Sequence, residues 1–288
     1  MDMWHVKIKA HAFLYKIDNS NLCTRDKIEK KSTQRLTNIT PSVMLVYNVE
    51  GKWEGEIIME SRNESIYRKL EEDIMNLSIR PGEMLSENSL CERFQVSRTP
   101  IRSVLQRLQG DGLVEIIPRK GTCVTRIRYH IVNQIIYLRV AVESAILRDF
   151  VGVCGPQDLI QIHHYLSLME GELNSRRAGN PPDPFYFYAA DKAMHATWYR
   201  ATKKNYLWEY IYSAKADYHR FCMLDMKDGA NYEGVSQEHR ALVQAVEEKN
   251  VEAIEGVVRT HFEGGIRRLG ARVYTDLEDY FDPDSLKA

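Results

Sequence analysis

The sequence predicts a mainly α-helical chain in two parts: a winged helix-turn-helix of three helices plus a two-stranded wing, followed by an all-α helical bundle. A basic amphipathic helix runs straight into a short hairpin over 97–124, SRTPIRSVLQRLQGDGLVEIIPRKGTCV. Behind it, apolar residues recur at helical spacing through 131–269, and Gly, Pro and Asn break the runs at helix-length intervals. No strand signal occurs in that second half.

Residues 1–60 show no sustained period and mix a Lys-rich run at 27–31 with short apolar stretches such as 43–47. The stretch Trp53-Glu54-Gly55 would be encoded as TGG-GAR-GGN, which contains GGAGG when the Glu codon is GAG, three codons before that of Met59. That resembles a ribosome-binding site, so the expectation is an unstructured extension or a misplaced start, with translation beginning at Met59. The competing reading is a flexible basic arm.

Residues 61–128 carry the first folded part. Ile66, Leu70, Ile74 and Leu77 predict a helix over 65–77, ended by Arg80-Pro81-Gly82. Ser86 is expected to cap a second short helix and Ser97 a third, with Pro100 in the first turn, where proline is tolerated. In the third helix Ile101, Val104, Leu105 and Leu108 face the core, while Arg98 and Arg102 share a face one turn apart. Gly110 and Gly112 stop it; 113–117 and 122–126 read as wing strands around a turn at 118–121.

The second part, 129–270, reads as helices over 131–153, 156–177, 185–201, 205–225, 236–249 and 251–269, with a Pro-rich loop at 180–184. Residues 271–288 read as an acidic tail, loosely attached.

At 288 residues, 44% hydrophobic and 27% charged, the chain has ordinary globular composition with room for two domains. Five cysteines without a CxxC pair indicate reduced thiols, hence a cytoplasmic protein. No apolar run approaches the ~20 residues of a membrane span, and no secretory leader is visible. Net charge is −1, yet 61–128 hold 12 Lys+Arg against 9 Asp+Glu and 129–288 hold 18 against 23. The basic excess sits on the helix-turn-helix, where a DNA reader carries it, although a surplus of three on charge alone fits an ordinary solvated surface equally well.

Asp191 and His195 stand four residues apart on one expected helix and project from one face. His239 lies 11 residues before Asn250 and His261 11 after it, so an antiparallel helix pair turning at Asn250 brings both imidazoles to one height. Three imidazoles and a carboxylate suit Zn(II), Ni(II), Co(II) or Mn(II), and without thiolates the set does not choose among them. The bland alternative for each histidine is a core imidazole bonded to a neighbour.

These residues resemble the GntR transcription factors of the FadR type, in which a winged helix-turn-helix precedes an FCD domain. The resemblance spans 65–269 and rests on Leu85-Ser86-Glu87 with Leu90, on 96–102 (VSRTPIR), on Asp111-Gly112-Leu113 and Arg119-Lys120-Gly121, and on Arg139 with Glu143, Asp191 with His195, Asn205, Glu238-His239-Arg240 and His261. It implies that Arg98 and Arg102 read base edges in the major groove, that Ser97 and Thr99 hold phosphates, and that Lys120 and Gly121 form a wing tip in the minor groove. Some relatives carry arginine where this chain has Asn88, so Asn88 contacts either a base or water.

The resemblance further implies a double-stranded operator bound by a homodimer, no membrane partner, and a small organic-acid effector over a divalent metal ion. Such an ion keeps up to two positions open for the acid. Arg139 is the candidate partner of its carboxylate, against the alternative of a salt bridge to Glu143; Tyr188 and Arg220 are further candidate lining residues. Two other functions compete: a regulator answering to the metal alone, and a metal-dependent enzyme, against which no spare Glu or His is placed as a general base.

Overall fold

The structure is a computed structural model, described here for residues 42–47, 53–58, 61–180, 182–212, 216–227 and 231–287. The chain divides into two compact units, Met1–Met59 and Glu60–Ala288. In the first, β1 (Ser42–Tyr47) and β2 (Trp53–Ile58) pair antiparallel, with Ser42 opposite Ile58 and Tyr47 opposite Trp53. The hairpin was not expected from the sequence. The rest of 1–60, with Met59, falls outside the described residues.

The second unit begins at α1 (Arg62–Met75), which starts earlier than its apolar period because the Ser61 hydroxyl accepts from the Glu64 amide and caps it. A two-residue strand, β3 (Met84–Leu85), precedes α2 (Glu87–Phe94), where Ser86 caps as expected. Then come α3 (Arg98–Gly110), β4 (Val114–Ile117) and β5 (Gly121–Val124). The sheet has the order β3-β5-β4, so the wing is three-stranded where the sequence indicated two. Ile66, Leu70, Ile74, Leu90, Ile101, Leu105 and Leu108 form its core.

The bundle follows: α4 (Tyr129–Val153), α5 (Pro156–Arg177), α6 (Pro184–Ala201), α7 (Asn205–Tyr212), α8 (Ala216–Met226), α9 (Tyr232–Glu247) and α10 (Ile254–Leu269). The helix expected over 205–225 is described as α7 and α8 on either side of residues 213–215, which fall outside the described residues. Phe150, Met169, Met194, Trp198, Leu242 and Val258 are buried among the helices. Among the described residues, no helix is long and apolar enough to cross a membrane.

The tail is the main correction. Between its acids, Val273, Leu277, Tyr280 and Phe281 are buried, and Phe281 is fully covered. The Ile127 amide donates to the Tyr280 carbonyl and the Asp282 amide to the Ile127 carbonyl, both at 2.9 Å, while Ser285 Oγ accepts from the Tyr129 amide. The Tyr280 hydroxyl accepts from Arg80 of the helix-turn-helix and from Lys227 at the end of α8. Apolar side chains interleaved with the acids convert a nominally loose tail into a strap across the interdomain linker.

Candidate nucleic-acid interface and metal centre

The seven residues expected at DNA, Asn88, Ser97, Arg98, Thr99, Arg102, Lys120 and Gly121, are all exposed. Ser97 stands at the N-cap of α3 without a capping side-chain bond. Gly121 has φ +121°, a conformation that glycine adopts readily, and a Cβ there would meet Met84 Cε at 3.2 Å. Arg98 Nη2 donates to Asn88 Oδ1 at 2.9 Å, and Arg102 Nε to both carboxylate oxygens of Glu87 at 3.1 and 3.0 Å. Glu87 therefore aims Arg102 from α2. Arg107 turns away, bonding Glu64 and lying over the Tyr67 ring.

In the bundle, α6 supplies Asp191 and His195, α9 His239 and α10 His261. One donor atom from each lies within 4.8 Å of the others, and the three histidines are buried. Asp191 Oδ1 is 2.6 Å from His239 Nε2 and 3.6 Å from His195 Nε2. The rings of His239 and His261 stand 4.5 Å apart, so the register of the last two helices is that of the 11-residue spacings.

An outer layer fixes these rings. His195 Nδ1 faces Glu143 Oε2 at 2.5 Å, and Glu143 in turn accepts from Arg139 Nε at 2.8 Å. His239 Nδ1 donates to the Val235 carbonyl at 2.8 Å, and His261 Nδ1 lies 3.7 Å from Glu238 Oε2. With Nδ1 of His195 turned to a carboxylate, its Nε2 presents a lone pair to the cluster, and that atom is buried without a partner. Burial and the neighbouring imidazoles push His261 far down, leaving it neutral. A buried carboxylate, a lone pair lacking a donor and oriented outer acceptors fit a divalent cation.

Beside the cluster a cavity of about 50 Å³ is lined by Tyr188, Asp191, Tyr218, Phe221, Cys222, Asp225, His261 and Arg268, among others. Burial pushes the Cys222 thiol up to about 12, so it stays protonated. Of the candidate effector residues, only Tyr188 lines this space. Arg139 is committed to Glu143 and to the Tyr212 hydroxyl, as the salt-bridge alternative held. Arg220 points to the linker, where Nη1 donates to the Thr125 carbonyl and Nη2 to Asp217 Oδ1. On α8 the cavity face runs 218, 221, 222, 225, and position 220 lies off it. Arg268 and Asp225, charged residues that also line the cavity, were not singled out: their pairing across 43 residues has no sequence period.

Comparison with known proteins matches residues 62–124 to "Bacterial regulatory proteins, gntR family" and 134–264 to the FCD domain. An HTH-type transcriptional regulator in an unstable DNA locus of Streptomyces ambofaciens is 29% identical over 68% of this chain and 80% of its own length. The HTH-type transcriptional repressor RspR of Escherichia coli K12 is 25% identical over 70% and 86%. The galactonate operon transcriptional repressor of the same organism is 28% identical over 66% and 88%. The solved transcriptional regulator GntR from Rhodococcus sp. RHA1 superposes with a TM-score of 0.60 at 22% identity, covering 74% of this chain and 99% of that one.

Proposed function

Because the chain belongs to the gntR family of bacterial regulatory proteins, with an FCD domain behind its helix-turn-helix, we propose that it is a repressor whose grip on a double-stranded operator is set by a small organic acid bound beside a divalent ion. It is a DNA-binding transcription regulator, not an enzyme. On this reading Asp191, His195, His239 and His261 hold zinc, nickel, cobalt or manganese, and the ion supplies positive charge at the cavity floor for a carboxylate. The observation that carries it is His195 Nε2, buried without a partner 3.6 Å from Asp191. A relative named for a galactonate operon supports an acid as the signal.

On the DNA side, Arg98 and Arg102 reach guanine edges, Asn88 a base or water, Ser97 and Thr99 phosphates, and Lys120 and Gly121 the minor groove. One recognition helix reads one half-site, so a homodimer on a partly palindromic operator completes the reading. Effector binding shifts the two DNA-binding domains through its differential affinity for their arrangements. The test is a gel shift of the zinc-loaded protein on the DNA adjoining its own gene, with and without candidate acids. Retardation relieved by an acid is expected; no retardation at low salt refutes the reading.

A further inference from the structure

We propose that Glu87 is a specificity-determining residue that acts through Arg102: by cancelling the guanidinium charge and occupying Nε, it turns a phosphate-seeking cation into a reader of one base pair. This rests on the reading above in which Arg102 reaches a guanine edge.

Both Glu87 carboxylate oxygens accept from the one Nε, at 3.1 and 3.0 Å. Among the described residues, Arg102 Nη1 and Nη2 have no hydrogen-bond partner. The guanidinium therefore keeps its outer edge, two parallel N–H groups, for guanine O6 and N7. The Arg102 side chain is 60% exposed and that of Glu87 34%, so in water the pair is weak. Against DNA it loses that water, and opposite charges at this distance attract more strongly where the dielectric is lower.

The other cations of this surface keep their charge. Arg98 Nη2 donates to Asn88 Oδ1, a neutral acceptor, at 2.9 Å. Arg119 and Lys120 have no carboxylate partner among the described residues. They share with Glu87 a groove of about 500 Å³ between the start of α2 and the wing, and Glu87 is the one acid among the residues that line it. Free positive charge binds any phosphate and adds affinity without sequence preference. With Glu87 beside it, Arg102 cannot slide to the nearest phosphate without bringing a carboxylate along. It gains only where a base edge completes the geometry.

The experiment enriches duplexes from a randomised pool with the full chain. Fluorescence anisotropy then follows binding of the enriched duplex, its single-base-pair variants and an unrelated duplex. Glu87→Gln, with Glu87→Ala as a second uncharged variant, is expected to raise the salt slope on the unrelated duplex by about 0.9, so its gain over wild type grows about threefold from about 200 to about 50 mM salt. It should also flatten the preference, about 5- to 150-fold in the wild type, at one base pair. Arg102→Met should flatten the same base pair, and the double variant no further. Glu87→Asp, which keeps the charge, should keep the wild-type slope. An unchanged slope in both uncharged variants overturns the proposal. So does a loss of preference spread over all base pairs or falling on a different one from that of Arg102→Met. Enrichment of no sequence by the wild-type chain overturns the base reading itself, and this proposal with it.

Discussion

Asp217→Ala is expected to be the most damaging single change at the junction between the DNA-binding domain and the bundle. The Asp217 carboxylate accepts from the Arg128 amide at 3.1 Å, from Arg128 Nε and Nη2 at 3.0 and 2.8 Å, and from Arg220 Nη2 at 3.3 Å. The Arg128 side chain is 56% exposed, so its ion pair contributes little. Arg220 is 1% exposed, and burial already pulls it down. Removing its counter-ion leaves a buried charge whose remaining acceptors are the Thr125 and Ala216 carbonyls and the Thr125 hydroxyl. Orphaning a buried pair costs about 3–5 kcal/mol, and those carbonyls favour the lower end, about 3. Loss of the acceptor for the amide at the start of α4 adds about 1 kcal/mol.

For a folded unit of this size each kcal/mol moves Tm by roughly 2–4 °C, so a drop of about 8–16 °C is expected by calorimetry. Arg220→Met leaves Asp217 paired with Arg128 and should cost less. The double variant should be more stable than the sum of the single losses implies, by about 1–3 kcal/mol of coupling, because the stranded charge is gone. A loss under about 1 kcal/mol for Asp217→Ala, or strict additivity with Arg220→Met, would refute the reasoning.

Further outcomes follow from the same geometry. Zinc at about a hundred times its Kd should stabilise the wild-type chain by about 2.7 kcal/mol in a thermal shift after chelation, and Asp191→Asn should abolish that increment. Arg102→Ala should weaken operator binding about 5- to 150-fold with Tm unchanged, and Lys120→Ala should reduce the salt slope by about one, both read by fluorescence anisotropy. Burial, with Lys192 and Arg220 nearby, pushes His219 down to about 3. Below about 6.5 the unfolded chain takes a proton that the native chain refuses, so stability falls as pH drops from there, and His219→Phe should remove up to about 2 kcal/mol of that loss at pH 5 in urea melts. Phe281→Ala should cost about 3–5 kcal/mol in the same melts, because the tail is core.

The helix-turn-helix was legible because each element announces itself locally. Ile101, Val104, Leu105 and Leu108 fix the buried face of α3, and the same period fixes α1. Met84 and Leu85 escaped notice because two residues have no period and their pairing with Cys123 and Thr122 is a long-range fact. In the tail, Asp276, Glu278, Asp279, Asp282 and Asp284 masked the apolar positions between them.

At the site, hairpin arithmetic from Asn250 sufficed for His239 and His261, since helix rise is invariant. The choice of partner among charged side chains was not legible. Arg102 pairs with Glu87, 15 residues away, and Arg268 with Asp225 and Glu238, 43 and 30 away. Arg220 could be assigned only by helix position, and its neighbour Phe221 is the one that lines the cavity.

That difference of one residue has a mechanical meaning, because α8 faces both the cavity and the linker. Tyr218, Phe221, Cys222 and Asp225 line the cavity, whereas Asp217 and Arg220 hold residues 125–128, the strip of chain that leaves the wing and enters α4. A side chain packed at interior density cannot give way alone, so a ligand that displaces the cavity face of α8 carries its linker face along. Allosteric coupling free energies run to about 1–3 kcal/mol. The contacts that cross from α8 to that strip are those of Asp217 with Arg128 and of Arg220 with the Thr125 carbonyl. On the proposed reading, a ligand in the cavity would act on the DNA-binding domain through those contacts.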